Sequence, residues 1–211
     1  MVAVILVLGW VQGEAFASQN NSVFGPACGV PTIDGEVDAL EWENAYSMTF
    51  SMVSSGVPLT GTLYVMNGAS NLYLGFTIND DELTLAGLYM GEGDSLRIDF
   101  DNDNGGSLFT IDDDVLSVYA VPPHFYDAYI WQTSSSSSRD DSLGGGGTDG
   151  IGAMGRIGNL NHMELKHPLC SGDSRDFCLT PGQRVGFRLE YLDTEGYDNP
   201  PVTYFFPGVH V

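Results

Sequence analysis

Apolar and polar residues alternate with a period of two along most of the chain. Leu72, Leu74, Phe76 and Ile78 alternate with Tyr73, Gly75 and Thr77, and Leu96, Ile98 and Phe100 alternate with Arg97, Asp99 and Asp101. Val185, Phe187, Leu189 and Tyr191 repeat the pattern against Gly186, Arg188 and Glu190. Successive side chains of a strand point to opposite faces, so this period predicts strands with one face for a core and one for water. Further strands are predicted at Tyr46 to Val53, Thr62 to Met66, Val115 to Val121, Phe125 to Trp131, His162 to His167 and Val202 to Phe206. Only Asp38 to Ala45 has helical spacing, over about two turns. Half-polar strands of this kind bury one face each by packing as two antiparallel sheets, so the predicted fold is an all-β sandwich.

One segment breaks the alternation. Ser134 to Ser138 is a pure serine run and Gly144 to Gly147 a pure glycine run, with Arg139 to Leu143 between them. Such composition buries too little apolar surface to offset its ordering entropy, and residues 134–148 are therefore expected to form a long mobile loop. It lies between two strands of one domain, because too few strands follow it to close a second core. The chain opens on an apolar run, Val2 to Gly9, followed by Ala15-Phe16-Ala17, the small-x-small pattern of a signal peptidase site. Residues 1–17 read as a signal peptide, although no Lys or Arg precedes the apolar run, and residues 18–211 as a single secreted domain.

Charge sharpens this picture. The chain carries 28 acidic against 7 basic side chains, a formal net charge of −21, and loss of the leader removes only Glu14. That excess argues against nucleic acid and against anionic membrane as partners. It fits a high-salt or a calcium-rich extracellular setting. Of the three cysteines, Cys170 and Cys178 close a short loop that a disulfide would staple in an oxidising compartment, and Cys28 is left over.

Eleven of the acids fall between Asp80 and Asp114, against the single cation Arg97. Like charges so close repel unless a cation or water screens them. From Asp101, the segment Asp-Asn-Asp-Asn-Gly-Gly-Ser-Leu-Phe-Thr-Ile-Asp112 places carboxylates at the first, third and twelfth positions of a loop with glycine at the sixth, the spacing that an EF-hand uses for calcium. Its flanks are strands rather than helices. Asp101, Asp103 and Asp112, with Asp99 from the preceding strand, are the candidate calcium ligands; a plain polar turn accounts for the same residues. Within the run, Gly93-Asp94-Ser95-Leu96 spells a serine-hydrolase signature. The residues after Ser95 continue as a strand, and the nearest acid three positions before a histidine is Glu164 before His167, so no activated nucleophile is expected.

The segment Pro31-Thr-Ile-Asp-Gly-Glu-Val-Asp-Ala-Leu-Glu-Trp-Glu-Asn-Ala45 resembles the opening of family 9 carbohydrate-binding modules and related DOMON-like sandwiches. Leu63-Tyr-Val65, Asn71 to Asp80, Asp94 to Asp103, Met163 to Leu169 and Pro181 to Phe187 are similar to the strands that follow in that family. The resemblance implies a jelly-roll-like sandwich that is non-catalytic, binds an extracellular carbohydrate on exposed aromatics and carries a structural calcium ion. Trp42 matches the family's core tryptophan. Trp131 and Tyr129 share one face of their predicted strand, and Tyr126 lies on the other. These three are the candidate sugar platform, although the same rings suit a packed core.

The Glu-Leu-Lys-His-Pro-Leu and Ser-Gly-Asp pattern is also similar to the haem-carrying subunit of ethylbenzene dehydrogenase. That likeness implies a non-covalent haem with Lys166, the chain's only lysine, and Met90 as axial ligands, Met154 or Met163 being the other possible partners. A purely structural surface protein is the third class.

Overall fold

The computed structural model describes residues 27–54, 57–85, 93–103, 110–122, 124–132, 137–180, 183, 185–194 and 202–210. The leader read at residues 1–17 lies outside them. The elements are β1 (Ala27–Cys28), β2 (Tyr46–Ser54), β3 (Val57–Asn67), β4 (Asn71–Ile78), β5 (Ser95–Asp101), β6 (Asp114–Tyr119), β7 (Phe125–Gln132), β8 (Ser137–Asp140), α1 (Asp141–Gly144), β9 (Ile151–Ile157), β10 (Leu160–Pro168), β11 (Gly186–Asp193) and β12 (Val202–His210). They form a β-sandwich of two antiparallel layers. One runs β8-β7-β6-β5-β11-β12 and the other β2-β3-β4-β10-β9, with β12 meeting β2 where Phe205 lies opposite Val53 and β1 adding to β3 in parallel.

The alternation that predicts the strands also sets the layers. Leu63 and Val65 of β3, Leu74, Phe76 and Ile78 of β4, and Met163 and Leu165 of β10 face Leu96, Ile98 and Phe100 of β5, Leu116 and Val118 of β6, and Phe187, Leu189 and Tyr191 of β11. All are essentially inaccessible to solvent, and each fully buried aliphatic or aromatic side chain contributes about 1.5–3 kcal/mol.

The outer face of β3 and β4 is covered by the chain between β1 and β2. Trp42 packs there with Met66 and Tyr73, on a strand position kept open by Gly75, whose missing Cβ would stand 3.1 Å from the indole. Buried Glu164 of β10 ties this cover down. Its Oε1 accepts from Trp42 Nε1 (2.8 Å) and its Oε2 from the backbone N–H groups of Asp34 (3.0 Å) and Gly35 (2.9 Å). The helix expected over Asp38 to Ala45 does not form. Trp42 N–H reaches the Asp38 carbonyl and Ala45 N–H reaches the Trp42 carbonyl, so the segment makes successive turns that aim Trp42 at Glu164.

Of the segment expected to be a mobile loop, residues 137–148 are described, and part of them is regular structure. Ser137–Asp140 pairs with β7, and Asp141–Gly144 makes one helical turn whose Asp140 cap accepts from Ser142 N–H (2.9 Å). Local composition opposes order there, but an unpaired edge of β7 supplies backbone partners that composition does not show. Strand β9 is a further element that the alternation missed.

A polar plug closes the end of the core where β5 begins. Tyr191 donates to Asp80 Oδ2 (2.6 Å), Asn161 Nδ2 donates to Asp80 Oδ2 (3.1 Å) and to Tyr191 Oη (2.9 Å), and Asp94 accepts from the N–H groups of Thr84 and Thr194 (2.9 Å each). Burial, with the charges of Asp80 and Glu82 behind it, pushes the Asp94 carboxyl up to about 6. A carboxyl whose pKa is higher folded than unfolded contributes stability below the unfolded value of 3.8 and loses it as the pH rises through about 6. Asp94→Asn should therefore be less stable than the parent at pH 4 and gain on it by up to about 3 kcal/mol by pH 7, as read from urea unfolding at the two pH values. A parent-to-variant difference that does not change with pH would refute this.

Candidate metal centre and sugar-binding face

Among the described residues, the four predicted calcium ligands do not draw their oxygens into one group. Asp99 is fully buried on the outer face of β5 and is already neutralised by two cations, Arg97 Nε (2.7 Å) and Arg188 Nη2 (2.7 Å). Asp112 is half-exposed, has a left-handed φ of 76° and forms an ion pair with Arg175. Asp101 is buried and Asp103 exposed. The turn is organised instead by Asp113, which accepts from Thr110 N–H (2.8 Å) and Asn102 N–H (3.3 Å), and by Asn102, which donates to the carbonyls of Asp112 (2.8 Å) and Arg175 (3.0 Å). Sequence spacing alone does not reveal that Arg175 and Arg188 come from 63 and 89 positions away to join Arg97 as partners of Asp112 and Asp99.

The aromatic trio also separates. Trp131 is 47% exposed near the end of β7. Tyr129, on the same strand face by alternation, is buried beneath the Arg175 guanidinium, 4.4 Å from its ring centroid, so it offers no free ring face beside Trp131. Tyr126 packs against Val115, Ala128 and Ile130 on the other face. Of the haem ligands, Met90 lies outside the described residues. Lys166 stands one position from Leu165 on β10, so its side chain leaves the sheet on the face opposite Met163 and Met154. Ser95 of the hydrolase signature opens β5, buried and opposite Tyr119 and Leu192.

A different set of acids converges at the other end of the core. Asp114 lies in the inward row of β6 with Leu116 and Val118, Asp127 in that of β7 with Phe125, and His167 in that of β10 with Met163 and Leu165. Asp141 comes from α1 and Asp176 from the loop closed by the Cys170–Cys178 disulfide. All five are buried. Ligand atoms of Asp114, His167 and Asp176 lie within 4.8 Å of one another, as do those of Asp127, Asp141 and Asp176.

Asp114 and Asp141 have both carboxylate oxygens buried without a hydrogen-bond partner, Asp176 likewise, and Asp127 one of its two. Burial, reinforced by the neighbouring carboxylates, pushes Asp114 well above the usual range, Asp127 up to about 6 and Asp141 up to about 8. Two buried acids and one histidine on inward strand faces were readable as an anomaly in the alternation, but their convergence was not.

No family model and no curated protein matches the chain. Among solved structures it is similar to a family 9 carbohydrate-binding module from Caldicellulosiruptor kristjanssonii in complex with cellotriose, with a TM-score of 0.56 and 18% identity over 84% of this chain and 80% of that one. The glucose complex of a family 9 module from the same organism gives a TM-score of 0.55 at 18% identity, over 84% and 83%. The fold is that of family 9 carbohydrate-binding modules. In this family 9-like sandwich the acidic centre bridges the two layers, and Trp131 stands exposed on the layer that carries Asp114 and Asp127. The outer face of β2, β3 and β4 holds a separate groove of about 650 Å³, lined by the hydroxyls of Thr49, Ser51, Thr60, Thr62 and Thr77 and by Tyr64.

Proposed function

We propose that this protein is a secreted, non-catalytic carbohydrate-binding module. The observation that carries the proposal is the shared architecture over 84% of the chain with a module that holds cellotriose in its crystal. The Cys170–Cys178 disulfide supports an oxidising, extracellular compartment. An indole that is 47% exposed on a rigid strand is the kind of surface on which a pyranose ring stacks, and Trp131 is the platform assigned here.

Binding to cello-oligosaccharides measured by isothermal titration calorimetry tests both levels. Trp131→Ala should weaken binding by about tenfold or more, since losing one stacked aromatic face is worth roughly 1.5 kcal/mol. Unchanged affinity in that variant would move the site to another face, with the hydroxyl-lined groove over β2 to β4 as the next to test. No binding to any glycan on an array would overturn the function.

A further inference from the structure

We propose that a divalent metal ion binds between Asp114, Asp127, Asp141, Asp176 and His167, joining the two layers of the sandwich, the disulfide loop and α1. This centre is separate from the calcium turn expected at residues 99–112, and it does not depend on sugar binding.

Two independent observations support it. The first is the set of four carboxylates, at most 6% exposed, of which seven oxygens lack a hydrogen bond of ordinary geometry; the Phe177 N–H towards Asp114 and the His167 and Ser171 side chains towards Asp176 give only loose polar contact. Among the described residues no arginine or lysine pairs with any of the four acids. Buried carboxylates left in this state cost several kcal/mol each unless a cation or a proton compensates them.

The second is the orientation of His167. Its Nδ1 lies 2.9 Å from the Pro168 carbonyl, which can only accept, so Nδ1 carries the proton. In the neutral ring, Nε2 then presents a lone pair towards the cluster, 3.4 Å from Asp176 Oδ2 and 3.9 Å from Asp127 Oδ2. A lone pair facing carboxylate oxygens is repulsive by itself; a second ring proton or a metal ion between them reverses the sign, and one proton cannot serve the seven oxygens gathered there. A backbone carbonyl that fixes the tautomer is the usual support of a metal-bound histidine.

The donors are one imidazole nitrogen and several carboxylate oxygens. That set suits divalent ions that accept both, such as Mn²⁺ or Zn²⁺, and its oxygens alone suit Ca²⁺. The residues come from β6, β7, α1, β10 and the Cys170–Cys178 loop, so one ion would cross-link five segments of the fold.

The test starts from the whole protein. Plasma mass spectrometry of protein purified without chelator should find a near-stoichiometric divalent metal. After EDTA treatment, the melting temperature should rise with Ca²⁺, Mn²⁺ or Zn²⁺ added singly, by about 5–10 °C at a hundredfold excess over Kd. Asp114→Asn gives a second readout that reverses in sign. With the ion present it should melt below the parent and lose the metal response, whereas in EDTA it should melt at or above the parent, because an amide removes one member of a crowded group of buried carboxyls. Absence of bound metal together with no shift for any of the three ions would overturn the proposal. So would an Asp114→Asn variant that is destabilised equally with and without the ion.

Discussion

Replacing Glu164 by alanine is expected to lower stability by about 3–5 kcal/mol, the largest single effect outside the hydrophobic core. The carboxylate is buried and accepts three hydrogen bonds, from Trp42 Nε1 and from the backbone of Asp34 and Gly35. Alanine leaves all three donors dry and opens a cavity beneath the indole. Burial raises the Glu164 pKa, and the three donors that the variant strands oppose that rise. Glu164→Gln keeps the shape and one acceptor but turns an amide N–H towards a donor, and should fall between the two. Urea unfolding gives the size of the loss, and a red shift of tryptophan emission before the main transition would show the cover over β3 and β4 lifting first. A loss under about 1 kcal/mol for the alanine variant would mean that water replaces the carboxylate without cost.

The second large effect is expected at Arg188. Asp99 is fully buried between Arg97 and Arg188, and Arg188→Met removes one of its two cations while keeping much of the side-chain volume. Stranding a buried charge costs about 3–5 kcal/mol when its only partner goes, and the remaining Arg97 contact should hold the loss to about 2–4 kcal/mol. Adding Asp99→Asn to the same chain should recover most of it, because the two positions are directly coupled. Were Asp99 a calcium ligand instead, added Ca²⁺ would rescue Arg188→Met alone. Differential scanning calorimetry of the single and double variants, with and without the ion, separates the two.

What could be read from the chain, and what could not, follows from how far each feature reaches. Strand β5 was predicted at Ser95 to Asp101 by the alternation of Leu96, Ile98 and Phe100 alone, because inward and outward environments differ along a single strand. Strand β9 was missed because Ile151-Gly-Ala-Met-Gly-Arg-Ile157 lies at a sheet edge, with its residues half-buried on both faces and two glycines that weaken any pattern. Strand β8 was hidden in a serine-rich stretch whose order comes from pairing with β7.

The candidate site shows the same limit more sharply. Asp101, Asp103 and Asp112 match a local ligand spacing, but Arg188 and Arg175 reach Asp99 and Asp112 from distant strands and loops. The acids that do converge, with His167, are spread from Asp114 to Asp176 on five segments. What the sequence carried was a violation of its own rule: Asp114, Asp127 and His167 occupy positions where the alternation demands apolar side chains. Such violations point to a ligand more reliably than a dense acidic run does.

The strand order has one further consequence. β8 and β9 are the two outer strands of the whole path, yet they follow one another in the chain, linked by α1 and the glycine run. β9 also packs against β6 and β7 of the opposite layer. Exposed strand edges are the surfaces through which sandwich proteins stick to one another and grow into fibrils. Here a single crossing, α1 and the glycine run, joins the two edges, and Asp141 of α1 is buried beside Asp127 and Asp176, so the acidic centre fixes where both edges stand.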